Sequence, residues 1–451
     1  MRVDRTIALL LCSFSPVTAQ NPVTLQHAVN QAVARYPSVR VSQEQIAAAA
    51  AGIALARTAY LPRADVLAQL NRATRNNVFG LLLPQSVLPA ISGPPKPEND
   101  MTNVWGSAIG FLVSWEPFDF GLRKANVDVA TAGRQRAEAS AARTKFEVAS
   151  LTADAYLTVL AAQQTLRAAQ AQVERARSIE NIVGALVKAE LRPGADASRT
   201  RAEMAVSETQ VIQAEQAIAI GRATLKQFTG ADVLPDAGQL VNLPQELPPA
   251  DISLAANPYA LEQKSAMAEV QARRKALDRS YYPRFALQAS SYARGTGANP
   301  DGSTGGPLAG IGPNIENWAV GMTVTFPIME LPSLRARKEI ERHHELAEAG
   351  RYDQLLLDLN ARLDKASAAL SAARRIAAQI PVQLQAAHDT EQQATARYRA
   401  GLGTLIEVAD AQRLLTQAEI DNSLAKLNVW RALLGVAAAS GDMQPFLDRI
   451  K

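Results

Sequence analysis

The sequence predicts a mostly helical chain with a small β part, in which two long coiled helical hairpins each follow a pair of strands. Three observations carry this. The chain repeats itself: Tyr60-Leu61-Pro62-Arg63 and Tyr281-Tyr282-Pro283-Arg284 stand about 220 positions apart, each closing an Ala-rich helix and opening an alternating segment. After each motif come a Gly- and Pro-rich loop, a second alternating segment around Trp105 or Trp318, a proline (Pro117 or Pro327) and a long helical stretch. The composition favours close helix packing, since only 5% of residues are aromatic and Ala leads a 47% hydrophobic fraction. Two copies are too few for a solenoid. They suit a building block of a symmetric assembly.

The first residues read as an export signal. Arg2 and Arg5 precede an apolar run from Ile7 to Phe14, and Val17-Thr18-Ala19 offers small residues before a cut at Gln20, so residues 1–19 are the expected leader. Lipidation at Cys12 is the weaker alternative, because Leu11 stands where a lipoprotein signal carries a small residue. Cys12 is the only cysteine, so the mature chain needs neither a disulfide nor thiol chemistry. The formal net charge is +4 with acids and bases interspersed, and no Lys/Arg run marks a nucleic-acid partner. No later stretch offers 18 consecutive apolar residues. Any passage through a bilayer must then be by β-barrel.

The strands are expected at about 62–74, 104–116, 283–292 and 318–326. In the second, Trp105, Ile109, Phe111, Val113 and Trp115 share one face, against Gly106, Ala108, Gly110, Leu112 and Ser114. In the fourth, Trp318, Val320, Met322, Val324 and Phe326 oppose Ala319, Gly321, Thr323 and Thr325. Large apolar residues on one side with aromatics at the ends fit lipid outside and water inside. Periodicity alone leaves a soluble sheet equally open. The strand count favours the membrane. Four strands cannot close a barrel, which needs about eight, so protomers would pool them, and three copies give twelve. The loops Asn76–Asn103, with five prolines, and Ala293–Glu316, with seven glycines and three prolines, fit the long outer ends of hairpins.

Long helices are expected over Gly121–Val187 and Leu334–Ala400, each about 67 residues or roughly 100 Å. Leu356, Leu359, Leu363, Ala366, Leu370 and Ala373 form a coiled-coil seam in the second. Pro381 interrupts that helix as a kink or a hinge. Breaks at Arg192-Pro193-Gly194 and Ala400-Gly401-Leu402-Gly403 lead to returns ending near Gly230 and Gly435. The domain reading is a first repeat at 20–230, a Pro-rich linker at 231–250, a second repeat at 251–440 and a tail at 441–451.

At this point the chain resembles a family. Thr24-Leu25-Gln26-His27-Ala28-Val29, Tyr60-Leu61-Pro62, the segment from Trp115-Glu116-Pro117 to Gly121, and the segment from Tyr398 to Gln412 are similar, in order and spacing, to TolC-type outer-membrane efflux channels. The resemblance covers about residues 23–440. It implies a homotrimer whose twelve strands sit in the outer membrane and continue into a twelve-helix periplasmic tunnel. The implied partners are a periplasmic adaptor and an inner-membrane transporter of RND or ABC type, with outer-membrane lipid around the barrel.

The resemblance also implies a site at the inner end of the tunnel. Glu407 and Asp410, three apart on one helix face, match acidic positions that constrict the entrance. Asp196 matches a further acid, and Tyr398 a tyrosine that helps hold the tip closed. Gly194, Gly401, Gly403 and Thr404 mark the hairpin ends expected to meet the adaptor. Where some members carry an arginine, this chain has Gly403, and Arg192 or Arg399 is the nearby replacement. Without the family, each acid reads as a solvated helix face.

Other chemistry finds no support. His343 and His344 are adjacent, while His27 and His388 are distant in sequence; helical metal pairs need i, i+3 or i+4 spacing. There is no phosphate loop, G-x-S-x-G or Cys-His constellation. Neither an enzyme nor a cofactor is expected. The alternative to a passive duct is a periplasmic coiled-coil adaptor that never crosses the outer membrane. Two hairpins with matched strand pairs favour the duct, since an adaptor typically presents one.

Overall fold

A computed structural model describes residues 22–74, 97–99, 101–244, 253–299, 301, 303–326 and 328–450. The expected leader with Cys12, most of the first long loop, Pro327 and the 245–250 end of the linker lie outside the described residues. The elements run α1 (Leu25–Arg35), α2 (Pro37–Thr58), β1 (Arg63–Thr74), β2 (Asn103–Phe118), α3 (Leu122–Lys188), α4 (Gly194–Thr229), α5 (Pro258–Arg279), β3 (Arg284–Thr296), β4 (Ile315–Thr325), α6 (Leu331–Arg399), α7 (Leu405–Ser440) and α8 (Gln444–Leu447). They form two compact units, each drawing on both halves of the duplication.

One unit, residues 45–137 and 263–351, holds an antiparallel sheet ordered β1-β2-β3-β4. Its register explains why only two strands show a clean pattern in the sequence. Phe111 pairs with Val66 on one side and Ser291 on the other, and Ser291 pairs with Trp318. Directly paired residues share a face. One face therefore collects Val66, Leu70, Ile109, Phe111, Trp115, Leu287, Trp318, Val320, Met322 and Val324, all exposed, with Trp318 at 80%. The other collects Arg63, Asp65, Gln69, Asn71, Ser114, Gln288, Ser290, Arg294 and Thr323, with Leu67, Val104, Leu112, Tyr292 and Ile315 as its large exceptions. An exposed apolar row this large on one face is what lipid requires.

Strand bounds depart from expectation in one instructive place. β3 runs on to Thr296 and β4 begins at Ile315, so part of the expected loop Ala293–Glu316 is strand. Gly295 reads as loop, yet pairs with Ser107.

At the junction of β2 with α3, two of the resemblance motifs meet. Asp119 accepts from the backbone of Gly121 (3.1 Å) and Arg123 (2.6 Å) and from the Arg123 guanidinium (3.0 Å). Arg123 reaches the Ala59 carbonyl (3.3 Å) and stands 5.0 Å from the Tyr60 ring centroid. Burial pushes the Asp119 carboxyl up, but Arg123 and the Gly121 amide together hold it below its ordinary range. Gly121 takes φ +90°, which turns the chain into the helix. The second junction is built differently. A single turn, Ile328–Glu330, leads into α6, which begins at Leu331 rather than at the expected Leu334 because Pro332 is tolerated in a first turn.

The other unit, residues 1–44, 138–262 and 352–451, contains the main core. Leu25, Tyr156, Leu160, Leu225, Trp430, Leu433 and Phe446 belong to one buried cluster, against which Leu363, Ala366 and Ala373 of the predicted seam pack. The Tyr156 hydroxyl lies 2.7 Å from the carbonyls of Val23 and Asp236, and Trp430 donates to the Asn242 carbonyl at 2.8 Å. α6 continues through Pro381 as one helix. The second return does not end at Gly435. α7 reaches Ser440 and closes on Gly441, φ +88°, because Val436, Ala437 and Ala439 extend its buried stripe. α4 and α7 thus each hold 36 residues.

Candidate functional site at the hairpin tips

The two helix reversals share one backbone. At the first, Glu190 takes φ +59°, and the Leu191 amide donates back to Leu186 (2.9 Å). At the second, Gly401 takes φ +76°, and the Leu402 amide donates to Arg397 (2.9 Å). Both are left-handed helix ends with a six-to-one hydrogen bond. Two residues later comes the cap of each return helix. Pro193 stands at the first cap, without a side-chain bond. Thr404 stands at the second, accepting from the Glu407 amide (3.3 Å) and donating to its carboxylate (3.2 Å). Asp196 and Glu407 thus occupy the same third helical position, where an acid suits the helix dipole.

Tyr398 joins the tips. It is 1% exposed and clusters with Ile179, Val183, Leu405 and Val408 from α3 and α7. Arg192 stacks 4.7 Å above its ring centroid and donates to its carbonyl at 3.4 Å. Burial and the nearby charge of Asp196 push the phenol up, with Arg192 opposing. The hydroxyl is buried with no hydrogen-bond partner among the described residues. Asp196 is thus near enough for its charge to be felt at the Tyr398 ring, while the direct contact is made by Arg192. Of the two arginines near Gly403, Arg192 of the other hairpin is the one that contacts Tyr398. Gly403 fits tightly, since a Cβ there would lie 3.3 Å from the Tyr398 amide nitrogen. Arg399 is exposed.

Glu407 and Asp410 project from the exposed side of α7. They are not equivalent. Asp410 lies 2.8 Å from Arg413, which also stands 3.7 Å from Glu203 on α4. Such an exposed pair adds little stability, about 0–1 kcal/mol, but it cancels charge locally. Higher up, Thr416 donates to Gln172 at 2.5 Å, while Arg175 donates to Thr416 (3.1 Å) and Glu419 (2.7 Å), tying α3 to α7. Sequence reasoning missed this network because its members lie more than 240 residues apart. Arg413 was findable, one turn beyond Asp410. Gly194 and Leu191 at the first tip, and Gly401, Leu402 and Thr404 at the second, are exposed. Among the described residues no cluster of His, Cys, Asp or Glu could hold a metal, and no helix is long and apolar enough to cross a membrane.

Comparison with known proteins fits this geometry. The sequence profile described as "Outer membrane efflux protein" matches residues 28–231 and again 251–442. Nodulation protein T of Rhizobium leguminosarum bv. trifolii is 23% identical over 94% of this chain and 87% of its own length. Among solved structures, CusC superposes with a TM-score of 0.77 at 15% identity, covering 93% of this chain and 92% of its own. The Campylobacter jejuni CmeC outer membrane channel gives 0.73 at 16% identity, covering 95% and 90%. The adaptor alternative is thereby set aside. With both repeats matched and the fold shared throughout, the chain belongs to the outer membrane efflux protein family and is an outer-membrane exit duct with a helical periplasmic part, a channel rather than an enzyme.

Proposed function

We propose that three copies of this chain close one channel, twelve strands in the membrane and twelve helices across the periplasm, gated at the hairpin tips. The observation that carries the reading is the open four-stranded sheet, too small to close alone, with one apolar exposed face. Threefold symmetry then sets three copies of Glu407, Asp410 and Asp196 around the inner opening. Tyr398, pinned by Arg192, holds each tip inward. The exposed turns at Gly194 and at Gly401-Leu402-Gly403-Thr404 form the docking end for a periplasmic adaptor, through which an inner-membrane transporter of RND or ABC type delivers cargo. Energy comes from that transporter, since nothing in this chain binds a nucleotide phosphate by motif.

The site assignment is supported by the exposure of Glu407 and Asp410 and by the contact of Arg192 with Tyr398, with the charge of Asp196 acting on the same ring. Because Arg413 offsets Asp410, Glu407 carries most of the uncompensated charge. Native mass measurement of the detergent-extracted protein should give a trimer, and a water-soluble monomer would defeat the assembly. In planar bilayers, replacing Glu407 and Asp410 together with Ala should lower cation preference and weaken block by multivalent cations. Arg413→Gln should shift selectivity the other way. Unchanged selectivity in intact trimers of both variants would remove these residues from the opening.

A further inference from the structure

The loop between β3 and β4 does not stand clear of the sheet. Gly297 donates to the Trp105 carbonyl (2.8 Å), Gly305 to Gly297 (2.9 Å) and Asn314 to Arg294 (3.1 Å), which folds the segment back on itself. Its return leg is seated on one face. A Cβ on Gly295 would lie 2.2 Å from the Gly312 carbonyl oxygen and 2.6 Å from the Ser107 hydroxyl. Gly295 and Ser107 are a register pair, so that face is the one bearing Trp105, Ile109 and Phe111. The row of large residues breaks there, and the loop fills the gap. Gly310, at φ +90°, comes so close that its Cβ would fall 2.2 Å from the Trp105 carbonyl oxygen.

What the loop presents outward is apolar. Residues 305–313 carry no charge, and Leu308 is 72% and Ile311 36% exposed. The loop sits over β2 and β3, the central strands. The edges where another copy would pair are β1 and β4. We infer that residues 305–313 form an apolar lip on the outward side of the barrel wall, with Leu308 and Ile311 set among the acyl chains of the outer leaflet. The lip is continuous with the lipid-facing row below it. Beside the lip, Arg72, stacked 5.3 Å from the Trp105 ring centroid, offers a cation that can reach toward the headgroups.

The test uses single-cysteine variants of the full trimer, Leu308→Cys and Met322→Cys, with Ser303→Cys for comparison. Each carries an environment-sensitive fluorophore and is reconstituted in phosphatidylcholine vesicles with or without brominated acyl chains. Bromine should quench the Leu308 label by about half, close to the effect at Met322, and leave Ser303 bright. Gly295→Val, which removes the seat, should abolish quenching at Leu308 while Met322 stays quenched. A water-like, unquenched Leu308 label beside a quenched Met322 would overturn the lip. So would a shielded label indifferent to bromine, because protein would then cover it. Loss of quenching at Met322 as well would overturn the face assignment and the lip with it.

Discussion

The two hairpin tips have the same backbone and divide the chemistry between them. Residue for residue from the helix ends, Val187 stands where Tyr398 does, Glu190 where Gly401 does, Arg192 where Gly403 does and Pro193 where Thr404 does. The reversal itself needs only a left-handed residue and the back-directed amide of the next. Side chains were then free to specialise. The first tip contributes a cation, and the second a buried ring and a capping hydroxyl. The second tip has glycine where the first has Arg192, and it is Arg192 that reaches across to the second tip's tyrosine.

The largest difference should appear on truncation. Tyr398→Ala empties a fully buried site and should weaken local packing by about 3–5 kcal/mol, as aromatic deletions do. Val187→Ala, at the half-buried counterpart, should cost only about 1 kcal/mol. Hydrogen exchange at the Leu402 and Leu191 amides would measure both, and the closed-state leak in bilayers should rise only for the first. Tyr398→Phe sharpens the point. Its hydroxyl lacks a partner among the described residues, so removing it should be neutral or slightly stabilising. A leaky Phe variant would mean that the hydroxyl finds a partner on assembly.

How much of this was legible beforehand follows from what each feature depends on. The seam from Leu356 to Ala373 and the rows on β2 and β4 rest on local periodicity, which a sequence displays directly. The apolar positions on β1 and β3 are interleaved with Ala and Ser, and only the register assigns them a face. Gly295 and Gly435 read as breaks because glycine usually is one; at Gly295 the close approach of Gly312 and Ser107 leaves no room for a Cβ, whereas at Gly435 the helix simply runs on, with Ala366 at an ordinary 4.0 Å from where a Cβ would stand. Glu407 and Asp410 came from family resemblance, and their unequal charge from Arg413. The stack of Arg192 on Tyr398 spans 206 residues. Aligning the two tips names Arg192 as the replacement but does not supply the contact.

The arginine comes next in size. A desolvated stack of this kind contributes about 1–2 kcal/mol. Arg192→Ala should raise the closed-state leak, and Arg192→Lys should restore part of the seal, because an ammonium keeps the charge but not the planar face. Arg399→Ala should change neither conductance nor exchange at the tip. If Arg399→Ala leaks and Arg192→Ala does not, the second tip has kept its own arginine function and the division of labour fails.

The smallest effect isolates the backbone. Glu190 and Gly401 both hold left-handed φ values, 59° and 76°, but only glycine does so without steric cost. Glu190→Gly should relieve that strain and stabilise the first turn, offset in part by the freedom glycine regains when unfolded, for a net gain of up to about 1 kcal/mol. Gly401→Ala imposes the same strain on the second turn and should cost about 1 kcal/mol. The two changes should be opposite in sign and similar in size, read as slower exchange of the Leu191 amide and faster exchange of the Leu402 amide. If Glu190→Gly instead speeds exchange, the Glu190 side chain holds the first turn by contacts of its own, and the tips differ in backbone as well as in chemistry.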